Sequence, residues 1–263
     1  MTISLPHDLL VRGHVGAVID GGVLNVTLDR PEARNAQTPA TWAALAALGE
    51  ACSQGGVDVV IFRGAGTAFS SGLDRRMFTL EGVPGEASLA EMAAMADAEL
   101  VERIEEFQAA FLWQRESPAM TVAAVHGAAI GAGFQLALAC DVLLASPDAS
   151  FAMRETSYGL VPDLGGTGPL VRAVGYARAV EICATGRAID AEEGYRLGFV
   201  TRIAPDLDAA VADLVAAVGA APSGAVRELK PLLAHAESVD RREQSRAERL
   251  TQVRRLRQLL GGG

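Results

Sequence analysis

The stretch "HGAAIGAGFQLALACD", His126 to Asp141, places glycines at 127, 131 and 133 between two apolar segments. "TVAAV" before it reads as a buried strand and "FQLALAC" after it as a buried helix. Glycines at such a junction serve unusual backbone angles or a ligand lying against the main chain. Tight packing of the strand on the helix is the alternative. A helix that begins there presents unpaired N–H groups, which favour developing negative charge. A dinucleotide fingerprint needs G-x-G-x-x-G, but the sixth position counted from Gly131 is Leu136, too bulky for that contact. A phosphate loop needs Gly-Lys-Ser/Thr, and the turn has no lysine. An oxyanion hole needs only backbone N–H groups from two loops aimed at one oxygen. The chain offers a second small-residue loop after a strand, Ala68 to Asp74, to pair with Gly127 to Gly133. His7, His14 and His235 show no spacing with a Ser or Cys nucleophile, which argues against a hydrolase triad.

The elements that must hold these loops alternate along the chain. "GAVID" and "VLNVTL" read as a hairpin about Gly21-Gly22, followed by the turn-rich "DRPEARNAQT". Thr38, with Pro39 after it, opens an Ala-rich helix to about Gln54. "VDVVIFRG" is a β-branched strand, and a long helical segment runs from about Ser88 to Glu116. After the quoted turn come the strand "VLLAS" and the loop "MRETSYGLVPDLGGTG". From about Pro169 the pattern is almost wholly helical, interrupted near "GFVTRIA", and it closes on a charged amphipathic helix striped by Leu250, Val253, Leu256 and Leu260. Strands alternating with helices and followed by a helical end indicate an α/β core with an α-helical C-terminal part.

Composition narrows the partners. At 263 residues the chain suits one large domain, or a domain with a helical appendage. Aromatic residues make up only 5%, so Ala, Val and Leu must do most of the packing. A net charge of −9 argues against nucleic acid and means that an anionic ligand needs a local basic patch. Cys52, Cys140 and Cys183 have neither metal nor redox spacing. The start "MTISLPHDLLVRG" lacks the form of a signal peptide, and no uncharged apolar run reaches membrane-spanning length. A cytoplasmic protein without membrane contact is expected.

"LDRPEARNA", "AFSSGLD", "HGAAIGAGFQLALACD", "YGLVPDLGGT" and "ATGRAIDAEEGYRLGFV" together resemble the successive signatures of the crotonase, or enoyl-CoA hydratase/isomerase, family. The resemblance spans roughly residues 15 to 205, in order and spacing. It implies a crotonase-like spiral of ββα units over 1–200, with an α-helical C-terminal region over 201–263 for oligomerisation and pocket closure. It also implies a homotrimer or dimer of trimers and an acyl-CoA thioester as substrate. Coenzyme A would then be part of the substrate, with no separate cofactor and no metal. Carried over by position, the oxyanion donors are the N–H groups of Leu73 and Ala132. Alanine replaces the family's usual glycine at 132 and can serve if its φ is negative. Coenzyme A contacts fall on Arg30, Arg34, Ala36, Ala68, Ser71 and Asp74. For Asp74, starting a helix at Arg75 is a competing role, and for Arg30 and Arg34 so is plain solvation.

The same resemblance places the acid–base groups. Family hydratases carry two glutamates that grip a water; here the positions hold Gln135 and Glu155. Gln135 can hydrogen-bond but cannot exchange a proton, which argues against ordinary hydration. Asp163 stands where several family isomerases use an aspartate as a proton shuttle. Otherwise it would cap a helix beginning near Gly165, and Glu155 would pair with Arg154 or Arg172. Met92 and Met95 suit an acyl pocket or the core equally. Double-bond isomerisation is therefore the expected activity. Hydration by Glu155 and Asp163, or acyl-CoA binding without catalysis, are the other readings.

Overall fold

The computed structural model describes residues 4–222 and 224–261. Helix α1 (His7–Arg12) leads into strands β1 (Val15–Asp20) and β2 (Val23–Leu28), an antiparallel hairpin. Its turn needs left-handed backbone at both central residues, and Gly21 and Gly22 supply φ of +53° and +83°. Helix α2 (Pro39–Ser53) starts at a reciprocal cap, in which the Thr38 hydroxyl accepts from the Thr41 N–H and the Thr41 hydroxyl accepts from that of Thr38. Strand β3 (Val59–Gly64) precedes α3 (Leu89–Ala93) and α4 (Asp97–Glu116). The single helix expected from Ser88 to Glu116 is thus two. The chain is extended at Ala96, and Asp97 and Glu99 occupy the new first turn, where acidic side chains favour a helix start.

Strand β4 (Met120–Val125) is followed at once by β5 (Ala128–Ile130) and α5 (Ala132–Ala139). Then come β6 (Val142–Ala145), β7 (Ser150–Ala152), α6 (Thr167–Val174), α7 (Tyr176–Thr185), β8 (Ile189–Asp190), α8 (Ala191–Leu197), β9 (Arg202–Ile203) and α9 (Leu207–Gly219). Helices α10 (Ala225–Ala236) and α11 (Arg241–Gly261) end the chain. Among the described residues, a six-stranded sheet runs β1-β2-β3-β4-β6-β9, parallel beyond the first hairpin. A smaller sheet runs β5-β7-β8. Single bridges extend it, Ser70 beside Ala129 and Gln37 beside Leu73. Successive passes of the chain therefore each give one strand to the large sheet and one short extended segment to the small one. This is the spiral of ββα units.

The inner strands β3, β4 and β6 are buried on both faces, which explains why "VVIF" reads as a continuous apolar run rather than an alternation. Val60 and Phe62 point into the main core with Leu24, Leu45, Leu48, Phe69, Phe134 and Phe151. Val59 and Ile61 point the other way, to Val122, Leu144 and Val211 of α9. Strand β9 and helix α9 thus extend the sheet and its cover past residue 200, the expected end of the core. Lys230 of α10 ties the terminal helices to this body. Its ammonium donates to the Ala119 carbonyl at 2.7 Å and pairs with Asp141 at 2.8 Å. Helices α10 and α11 bury no residue fully, and Leu250, Val253, Leu256 and Leu260 are exposed. Among the described residues no helix is long and apolar enough to cross a membrane.

Candidate active site

The loop that follows β3 is held from below by buried side chains of the "RNAQ" segment. Asn35, in left-handed backbone at φ +55°, donates to the Ala65 and Ala68 carbonyls at 2.8 Å each. Gln37 donates to the Ser70 hydroxyl at 3.0 Å, and the Trp42 indole fixes its other end at 2.8 Å. The Ser70 hydroxyl in turn donates to the Asn35 carbonyl at 2.8 Å. Each of these polar groups is buried and has a partner, so the loop is specified rather than merely packed. Sequence reasoning missed Asn35, Gln37 and Ser70. The only signal was a run of amide and hydroxyl residues in segments that read as turns.

At Gly72 the backbone is left-handed, φ +85°, and an added Cβ would lie 2.5 Å from the Ile130 carbonyl oxygen. That position requires glycine. The same hypothetical atom would be 3.5 Å from the Ala132 nitrogen, so the two loops meet there. Gly127 and Gly131 have positive φ of +55° and +53°. Gly133 is helical, and its role is close approach: a Cβ there would meet the Ser70 carbonyl oxygen at 2.6 Å. Ala132 opens α5 and is not among the positive-φ residues, so its side chain is accommodated without strain. Among the described residues, the N–H groups of Leu73 and Ala132 have no hydrogen-bond acceptor. Two unpaired amides at adjoining loops, one at a helix N-terminus, are an arrangement that can stabilise negative charge on an oxygen placed between them.

Glu155 opens a 3₁₀ turn, Glu155–Tyr158, directly beside this junction. An added Cβ on Gly131 would lie 3.3 Å from its Oε1. Gln135, fully buried on α5, donates through Nε2 to that Oε1 at 2.7 Å. The Gln135 Oε1 accepts the N–H groups of Leu164 at 3.0 Å and Gly166 at 3.2 Å. Two donors on one end of the amide leave its NH₂ end facing the carboxylate, which fixes the orientation chemically. The Glu155 Oε2 is buried with no partner. Burial pushes the Glu155 pKa up, opposed by its hydrogen bonds, while the nearby charge of Asp163 adds a smaller upward push. Partial burial likewise pushes the Asp163 pKa up, opposed by a hydrogen bond from its own main chain. Asp163 as a whole is exposed to solvent, whereas Glu155 is half-buried. Neither carboxylate takes the structural role weighed for it. Helix α6 begins after Gly166 with no side-chain cap, and Arg172 pairs with Glu237 at 3.3 Å.

On the coenzyme side, Asp74 caps the 3₁₀ turn Arg75–Phe78, as its competing role anticipated. It also pairs with Arg30, and with Arg76 at 2.8 Å. Hydrogen bonds from Arg76, and then from Arg30, hold the Asp74 carboxyl below the usual range against the effect of burial. Arg30 is buried in this pair, so neither side chain presents a free charge to a ligand. Arg34 is exposed, Ala36 and Ser71 are half-buried, and Ala68 is buried. Two sizeable hollows lie apart from the carboxylates. One of about 460 Å³ is lined by Arg63, His126 and Asp208, and one of about 320 Å³ by Met92, Phe107 and Arg103. Met92 therefore faces a hollow against α2 and α4, and Met95 packs on the main core.

A family model described as enoyl-CoA hydratase/isomerase matches residues 18–258. The chain belongs to the enoyl-CoA hydratase/isomerase family. A protein named probable enoyl-CoA hydratase from Rhodobacter capsulatus is 38% identical over 72% of this chain and 68% of its own. A peroxisomal Delta(3,5)-Delta(2,4)-dienoyl-CoA isomerase of Arabidopsis thaliana is 32% identical over 70% of this chain and 66% of its own. The fold superimposes with a TM-score of 0.91 on a Thermobifida fusca structure named as an enoyl-CoA hydratase, in complex with acetoacetyl-CoA. The two are 43% identical over 98% of this chain and 100% of that one. The mostly parallel sheet, the helical end and these likenesses agree on the crotonase fold and on an acyl-CoA enzyme.

The Gln135 clamp has a direct test. Gln135→Leu leaves the Leu164 and Gly166 amides and one Glu155 oxygen without partners in a buried place. It should lower unfolding free energy by about 2 kcal/mol or more, read by urea denaturation. An unchanged midpoint would contradict the clamp.

Proposed function

We propose that this chain shifts the double bond of an enoyl-CoA by way of a thioester enolate. The observation that carries the reading is that Glu155 is paired with an amide, Gln135, rather than with a second acid. In this reading the thioester oxygen accepts the N–H groups of Leu73 and Ala132. The free Oε2 of Glu155 takes a proton from the carbon beside the thioester of a 3-enoyl-CoA. The C–H electron pair passes into the enolate and the double bond moves one position. The same carboxyl returns the proton at the far carbon, with Asp163 placed to relay it, and a 2-enoyl-CoA results. A raised pKa suits a group that must both take and give a proton near neutral pH. Hydration by Glu155 and Asp163 is the second reading, favoured by the hydratase names among the relatives. Arg34 is the proposed cation for the coenzyme phosphates.

Glu155→Gln or Asp163→Asn should lower isomerisation by roughly 10²-fold or more, whereas Gln135→Ala should cost much less if the protein stays folded. Proton removal requires ionised Glu155, so the rate should rise with pH through a pKa above its ordinary 4.5 and then level. Folding stability has the opposite sign. A carboxyl whose pKa is raised on folding contributes stability below its unfolded pKa and loses it as pH rises through the folded one. Glu155→Gln should therefore raise Tm at neutral pH and lose that gain in acid. A neutral-pH Tm that falls, with activity retained, would contradict the role given to Glu155.

The exposed Leu250, Val253, Leu256 and Leu260 row suits a helix docked on a neighbouring copy, supporting assembly as a trimer or dimer of trimers. Light scattering should give such a mass; a monomer at micromolar concentration would contradict it.

A further inference from the structure

Two 3₁₀ turns face each other beside the carboxylates. Arg75–Phe78 begins just after the Leu73 amide, and Glu155–Tyr158 begins with the candidate base. In a 3₁₀ turn the side chains three residues apart eclipse. Arg75 and Phe78 therefore share one face, and Glu155 and Tyr158 share the other. The two faces are joined by Tyr158. Its ring lies 5.2 Å from that of Phe78 at an interplanar angle of 39°, and its hydroxyl accepts from the Arg75 guanidinium at 3.3 Å. The rings are 41% and 46% exposed, although aromatic rings of this kind are the groups a core would normally take in. Tyr158 also stands about 6 Å along the turn from Glu155, at about 2 Å per residue.

We propose that the Phe78–Tyr158 clasp is the specificity-determining wall for the acyl group. The inference rests on the acyl-CoA reading above. With the thioester oxygen at Leu73 and Ala132 and the adjoining carbon at Glu155, the acyl chain continues along the face that Tyr158 shares with Glu155. The clasp crosses its path by linking the two turns, and Arg75 holds the tyrosine in place from the hydroxyl end. The occupant is thus a short acyl group, whose methyl end rests on the rings, and longer chains meet the wall. Tyr158 and Phe78 set which substrate fits; neither exchanges a proton in the reaction.

The test is the ratio of affinities for butyryl-CoA and lauroyl-CoA, measured by calorimetry on the full chain. The wild-type protein should prefer butyryl-CoA. Tyr158→Ala or Phe78→Ala should shift the ratio toward lauroyl-CoA by about 10-fold or more, with affinity for coenzyme A itself unchanged. Tyr158→Phe keeps the ring and should keep the preference. A change confined to structure would weaken both thioesters alike. An unchanged ratio in a folded variant, or a shift toward butyryl-CoA, overturns the proposal. Circular dichroism identifies a variant that fails to fold, and either alanine variant alone suffices for the reading. Selectivity measured through affinity is independent of turnover, so a protein that binds both thioesters without isomerising them still tests the wall. A wild-type protein that binds neither thioester overturns the acyl-CoA reading, and the wall with it.

Discussion

The carboxamide of Gln135 can face only one way. Its oxygen accepts two main-chain N–H groups from the Leu164–Gly166 segment, so its NH₂ must point at Glu155. A glutamate in its place would put a second acid against Glu155, and one of the two would have to hold a proton. With glutamine the partner is neutral and always a donor. It steadies the Glu155 carboxylate without competing for protons, and leaves the other carboxylate oxygen buried and unpaired. Such an oxygen is costly to the fold. It persists because α5, the Glu155 turn and the segment bearing Asp163 are all tied to one amide.

In the proposed reaction that amide has value only if the proposed oxyanion donors, the N–H groups of Leu73 and Ala132, are equally fixed. Their placement follows from close approach of backbone to backbone. Gly72 against the Ile130 carbonyl, and Gly133 against that of Ser70, allow distances that any side chain would forbid. The small sheet then sets the register, because Ser70 pairs beside Ala129 and Gln37 beside Leu73. The Arg30–Asp74 pair closes the same structure from the outer side. The charge of Asp74 is thus taken up by arginines within the fold, whereas the hydrogen-bond partner of Glu155 is the neutral Gln135.

Much of this was legible in the residues. The Gly21-Gly22 hairpin, the Thr38 cap and the glycine turn at 127–133 each rest on local chemistry and occur where the sequence places them. Strands β5, β7 and β8 were not legible. They are two or three residues long, too short to show a period, and exist through pairing with distant segments. The break between α3 and α4 lies in an Ala-rich run with no glycine or proline to mark it. At the site, Glu155 and Asp163 stood out by type and by family position. The clamp did not, because a glutamine's partners depend on the fold. Arg30 shows the same limit from the other side. A cation in a turn-rich loop reads as solvent-exposed, yet Asp74, distant in sequence, draws it into the interior.

The measurement that tests the account most directly follows deuterium in a 3-enoyl-CoA incubated with the enzyme in deuterated water. A shuttle in which Glu155, beside its amide partner, takes the proton and Asp163 relays it should move the double bond and exchange label at the carbon next to the thioester, and Glu155→Gln should sharply lower both. Efficient hydration of a 2-enoyl-CoA, with neither a shifted double bond nor exchange at that carbon, would contradict it.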